Sequence, residues 1–122
     1  MFTDEVAEGS MEIKELTEVM HRFVEAKGWY NPESLRPQTP RNIAISLNIE
    51  SAEVLEHFQW TEAPLDRDAL AGELADVTLY LLQLASVTGI DLEQAVLDKL
   101  KVNYGRTWDE DRKSQGKEER EP

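Results

Sequence analysis

Two short acidic words constrain this chain more than any other feature. They are Glu50-Ser51-Ala52-Glu53 and Glu73-Leu74-Ala75-Asp76, separated by residues 54–72. Each lies in a stretch of helical periodicity, where residues three apart share a face. On a wheel turning about 100° per residue, Ile43, Leu47 and Val54 fall on one side of Glu50, and Glu53, His57 and Ser46 on the other. Leu70, Val77 and Leu84 flank Glu73 in the same way, with Asp76 and Tyr80 opposite them. The four carboxylates therefore sit at the edges of stripes that ought to face a core. Gathered there they repel one another and lose hydration, at several kcal/mol per ion. Protonation or a bound cation relieves this. Oxygen-only ligands suit a hard cation, Mg²⁺ or Mn²⁺. The competing reading makes all four solvated outer positions. One Glu-x-x-Glu alone favours that alternative; two words on neighbouring helices shift the balance to a site.

Composition narrows the partners. A chain of 122 residues forms one domain with a usable core. It has no cysteine, so disulfides and thiolate metal sites are excluded. A formal net charge of −12 argues against duplex nucleic acid and anionic membranes as partners. It leaves room for an anionic small molecule if metal ions lie between the two. The longest apolar run, Leu79 to Ala85, is interrupted by Gln83 and is too short for a bilayer. Asp4, Glu5 and Glu8, with no basic segment among them, do not read as a signal peptide, so a cytoplasmic location is expected.

The pattern predicts an all-α, four-helix bundle-like domain over residues 10–108, with a flexible stretch at 1–9 and a disordered charged tail at 109–122. Ser10 is the expected cap of the first helix, Glu12 and Glu15 occupy its first turn, and Gly28 is its stop. His21 lies beside that helix's apolar stripe. Residues 29–39 form a loop, opened by Trp29 and Tyr30, that either covers a pocket or seals the bundle end. Thr39-Pro40 starts a second helix running to about Trp60, with Trp60 on its carboxylate side. Asp66 or Asp68 caps a third helix ending near Thr88-Gly89. Its later half is apolar nearly all round, which one small bundle cannot bury, so a homo-oligomer is expected, a tetramer rather than a dimer. Asp91 and Gln94 form the expected capping box of the fourth helix. Along it, Lys99, Asn103 and Arg106 continue an apolar stripe as donors, either a solvated helix end or clamps for phosphate oxygens.

Together the words and their surroundings resemble the MazG-like nucleoside triphosphate pyrophosphohydrolases, and among them the dCTP pyrophosphatase branch. Pro40-Arg41-Asn42, the run Glu53-Val54-Leu55-Glu56-His57-Phe58-Gln59-Trp60 and the run from Glu73 to Leu81 carry the likeness, which spans roughly residues 13–108. The resemblance implies a Mg²⁺-dependent hydrolase, with Mn²⁺ as the alternative ion, that converts a nucleoside triphosphate to the monophosphate and pyrophosphate. It implies dCTP or a modified pyrimidine deoxynucleotide as substrate and cleansing of the nucleotide pool as role. Glu50, Glu53, Glu73 and Asp76 would bind metal, with Glu50 or Glu53 orienting or deprotonating the attacking water. Trp29, Trp60, Tyr80 and His21 would contact the base end, and Lys99, Asn103 and Arg106 the triphosphate. Two departures bear on base choice: a longer loop before Pro40, and Met20 where that branch has a histidine, with His21 beside it.

Three other readings compete with this one. A phosphoribosyl-ATP pyrophosphohydrolase has similar carboxylate words but fits the Phe58-Gln59-Trp60 run and Tyr80 less well. A di-iron bundle needs Glu-x-x-His on two helices, and His57 is four residues after Glu53 with no counterpart. A non-catalytic oligomeric scaffold would use the acids for solubility alone.

Overall fold

A computed structural model describes residues 10–106. Among these residues the chain forms four α-helices and no strand: α1 Ile13–Ala26, α2 Pro40–Glu56, α3 Arg67–Val87 and α4 Leu92–Tyr104. The sequence-based expectations for residues 1–9 and 109–122 lie outside the described residues. The chain divides between Ile90 and Asp91 into two compact units, so α1 to α3 form one and α4 belongs to the other.

Caps set most of the boundaries. The Thr39 hydroxyl accepts from the Asn42 amide at 3.1 Å, and Pro40 follows at the first helical position. Asp66, rather than Asp68, caps α3 by accepting from the Ala69 amide at 3.1 Å. Asp91 accepts from the Gln94 amide at 3.0 Å. The reciprocal half of that box is missing, because the Gln94 side chain donates to Asp98 at 2.9 Å instead. α1 starts later than expected. Glu12, not Ser10, is the cap, and its amide donates to Glu15 Oε1 at 3.0 Å, fixing the first turn locally. Gly28 and Gly89 end α1 and α3 with φ of +77° and +76°, a conformation that costs a residue with a Cβ about 1–2 kcal/mol. α2 ends at Glu56, short of the expected Trp60. Bonds from the His57 amide to the Val54 carbonyl and from Phe58 to Leu55 tighten the chain into a turn and break the helical register.

Within the first unit α3 is the central element, packing on both α1 and α2. The core joins Val19, Met20 and Val24 of α1 to Ile43 of α2 and Leu82 and Ala85 of α3. Ile43 is the most deeply buried large side chain, 1% exposed. Among the described residues one buried side chain is polar, Gln83, interrupting the apolar half of α3. By length and composition α3 is also the one helix among the described residues that would pass for a membrane span. Its contacts with α1 and α2, and the acids Glu73 and Asp76 in its first half, instead mark it as the core helix of this unit. The expectation that its later, apolar half is buried on two sides is met only in part: Leu82 and Ala85 are buried, whereas Leu79 and Leu81 are 38% and 41% exposed.

In the second unit α4 has no buried residue, and Val96, Leu97 and Leu100 are each about half exposed. Gly105 caps its end, so Arg106 lies just beyond the helix rather than on it, its amide donating to the Asn103 carbonyl at 3.1 Å.

Candidate metal centre and adjoining cavity

The i, i+3 spacing brings the acids to one place, because the carboxylate stretches of α2 and α3 pack side by side. Glu50, Glu73 and Asp76 each offer an oxygen within 4.8 Å of the others. Glu50 and Glu73 are half-buried and Asp76 is exposed. Glu50 Oε1 is buried with no hydrogen-bond partner among the described residues. A buried carboxylate oxygen without a donor is costly, and a cation removes that cost. The residues therefore fit a hard divalent ion, with three oxygen ligands from two rigid helices. His57, half-buried just past the end of α2, lies 3.4 Å from Glu73 Oε2 and orients that carboxylate from outside the cluster.

Glu53, expected as a fourth ligand, is not one of the converging triad. It stands beside it. Its carboxyl is held above the ordinary glutamate range, first by the charge of Glu50, then by a hydrogen bond with Glu73 and by burial. Glu50 is also raised, first by burial and then by the charges of Asp76 and Glu73. Both groups thus bind a proton more tightly folded than unfolded. Their contribution is neutral below the unfolded pKa and turns against folding as pH rises from there through the raised folded value. The metal-free protein should accordingly lose stability over that window. In Glu50→Gln the slope should flatten, and saturating Mg²⁺ should remove it from the native protein. Thermal unfolding from pH 4 to pH 8, with and without Mg²⁺, checks this; equal slopes in the native protein and the variant would show that the acids do not interact.

The cluster opens onto a cavity of about 760 Å³, within the range of small-molecule sites. Asp76 belongs to both. Along α3, Asp76, Tyr80 and Gln83 line the cavity at i, i+4 and i+7. The loop after α1 adds Trp29, Arg36 and Gln38 to the lining, so of its two expected roles it covers a pocket. Trp29 is fixed edge-on against Phe23, with ring centroids 5.7 Å apart, and the Arg36 guanidinium lies 5.6 Å from its ring centre. The loop itself is pinned by bonds from the Trp29 amide to the Val24 carbonyl and from Ser34 to Asn31.

Two residues expected at the base end are elsewhere. Trp60 lies in the turn after α2, 85% exposed and outside the cavity, because α2 stops at Glu56. His21 has both ring nitrogens committed to the protein: Nδ1 lies 2.6 Å from the Tyr30 hydroxyl and Nε2 2.7 Å from Ser86 Oγ. Met20, its neighbour, is the one that lines the cavity. Lys99 and Asn103 share a face of α4 in the second unit, with Arg106 just past its end. The residues missed from the sequence are Gln83 and Gln38. The available signal was a lone amide in an apolar run, a group that must find partners when buried.

Comparison with known proteins adds to this geometry. The MazG-like family model matches residues 45–119, which includes both acidic words. Over 76 residues the chain is 42% identical to dCTP pyrophosphatase 1 of Mus musculus, covering 55% of this chain and 45% of that protein. A shorter match, 47% identical over 38 residues, covers 31% of this chain and 13% of a dATP/dGTP diphosphohydrolase of Salmonella phage PMBT28. The chain thus spans less than half the length of these curated relatives. The crystal structure of a pyrophosphatase from Archaeoglobus fulgidus is similar at a TM-score of 0.61 and 34% identity, covering 79% of this chain and 92% of that one.

Proposed function

Because the chain belongs to the MazG-like family, we propose that it is a Mg²⁺-dependent nucleoside triphosphate pyrophosphohydrolase acting at the Glu50–Glu73–Asp76 cluster. The observation that carries this reading is the convergence of three acids, one with an orphaned buried oxygen, beside a nucleotide-sized cavity that Asp76 also lines. The names of its relatives, dCTP pyrophosphatase and dATP/dGTP diphosphohydrolase, support the reaction class and differ on the base.

Glu50, Glu73 and Asp76 would hold the ion. Bound there, it supplies Lewis acidity and offsets phosphate charge. Glu53, adjacent to the triad and not among its converging ligands, takes the proton of the attacking water as general base. The water oxygen bonds to the α-phosphorus, the bridging bond to the β-phosphate breaks, and pyrophosphate leaves from a nucleoside monophosphate. His57 keeps Glu73 oriented, while Trp29 and Tyr80 enclose the nucleoside in the cavity. Incubation with each deoxynucleoside triphosphate and Mg²⁺ should yield pyrophosphate and monophosphate in equal amounts, and EDTA should stop the reaction. Release of orthophosphate alone, or of nothing, would contradict the proposal.

The exposed apolar side chains of the first unit favour a homo-oligomer, with a tetramer as the assembly proposed. Ile49, Leu55 and Leu74 are 53%, 68% and 49% exposed, and packing against another copy of the chain would cover them. Light scattering after size exclusion should give a mass several times the 14.0 kDa chain. A monomer at micromolar concentration would refute the assembly without touching the chemistry.

A further inference from the structure

Gln83 is the buried polar residue of the core, 3% exposed, and it lines the cavity two turns along α3 from Asp76. Its orientation is set by a chain of hydrogen bonds with one polarity. The Arg36 carbonyl can only accept, so Gln38 turns its Nε2 toward it at 2.7 Å. Gln38 Oε1 then faces Gln83 and accepts from Gln83 Nε2 at 2.8 Å. The same nitrogen reaches the Tyr30 hydroxyl at 3.2 Å. That hydroxyl lies 2.6 Å from His21 Nδ1, and His21 Nε2 lies 2.7 Å from Ser86 Oγ, so the network continues to α1 and the end of α3. Flipping the Gln83 amide would set two oxygens against each other at Gln38. Both N–H groups of Gln83 are thereby committed, and its Oε1, an acceptor only, takes no hydrogen bond from any described residue.

The spacing matches the proposed substrate. Asp76 stands at the metal end, Tyr80 one turn on, and Gln83 about 10 Å from Asp76 along the helix axis. That is the reach from an α-phosphorus to the far edge of a base. We propose that Gln83 is a specificity-determining residue whose Oε1 accepts from an exocyclic amine on the base, so the cavity selects amino-bearing bases over their keto counterparts. A keto oxygen at that position would meet Oε1 lone pair to lone pair and leave both unpaired. The inference rests on the pyrophosphohydrolase reading and deepens it.

The test compares kcat/KM within amino–keto pairs of one ring size, dCTP with dUTP and dATP with dITP. In the ring size turned over faster, the native protein should favour the amino member by on the order of 10- to 100-fold. Gln83→Leu, which removes the acceptor and keeps the bulk, should bring that ratio to within about twofold of one while Mg²⁺ binding is retained. A purely structural role would lower both members of the pair together. A native ratio near one, or a ratio unchanged in Gln83→Leu, overturns the assignment. If Gln83→Leu does not fold, Gln38→Leu frees the amide to rotate and should lower the same ratio; an unchanged ratio there overturns it equally. Failure of the folded native protein to release pyrophosphate from any triphosphate is a different result: it removes the enzymatic reading, and this inference with it.

Discussion

Glu53→Gln should lower kcat for pyrophosphate release by about 10²- to 10⁴-fold, the usual worth of a positioned general base. KM and Mg²⁺ affinity should change little, since Glu53 is not one of the three converging acids. The amide keeps the size of the carboxylate but cannot accept a proton. It also removes one charge from a crowded group, so the variant should be at least as stable as the native protein in the absence of metal. Glu50→Gln should behave differently. It removes a ligand, and metal affinity should fall by more than the 10–100-fold typical of an outer-shell partner. Steady-state kinetics across a Mg²⁺ titration separate the two: Glu53→Gln stays inactive at saturating metal, while Glu50→Gln shifts the metal dependence. Identical profiles would mean that Glu53 is a ligand after all.

The largest effect on stability is expected at Ile43. Its side chain is 1% exposed and sits two turns before Glu50 on α2, where it anchors the helix that carries two of the four acids. Ile43→Ala removes buried methyl groups from a core of few residues, with little chance of collapse around the gap. The expected cost is about 2–5 kcal/mol, a large part of the total for a small domain. Thermal or urea unfolding measures it directly. Leu55→Ala is the comparison: Leu55 is 68% exposed in the single chain and should cost little there. A Leu55→Ala cost approaching that of Ile43 would point to burial of Leu55 between copies of the chain, in line with the proposed assembly.

What could be read from the sequence was what local spacing determines. The acid pairs were legible because i, i+3 neighbours share a face wherever the helix ends fall. Thr39, Asp66 and Asp91 were legible as caps because each bonds an amide three residues on. Ser10 failed where Glu12, two residues on, could make its own local bond with Glu15. Trp60 was misplaced because the end of α2 is set by turn bonds around His57 and Phe58, for which helical periodicity gives no warning. His21 and Gln83 were opaque for another reason. Their partners lie far along the chain, Ser86 from His21 and Tyr30 and Gln38 from Gln83, so only the packed fold brings them together. The extra loop before Pro40 was visible as a departure, and its place in the cavity wall followed only from the fold.

The proposed chemistry depends on a divalent cation site formed by Glu50, Glu73 and Asp76. Mn²⁺ binding followed by electron paramagnetic resonance, with Mg²⁺ as competitor, tests it most directly. The native protein should bind Mn²⁺ saturably, give it up to Mg²⁺ and bind more tightly as pH rises, because the ion displaces protons that Glu50 and Glu53 hold more firmly than ordinary glutamates. Glu50→Gln should lose most of that affinity. Binding that is absent, or equally strong in Glu50→Gln, would rule out a cation site at these acids.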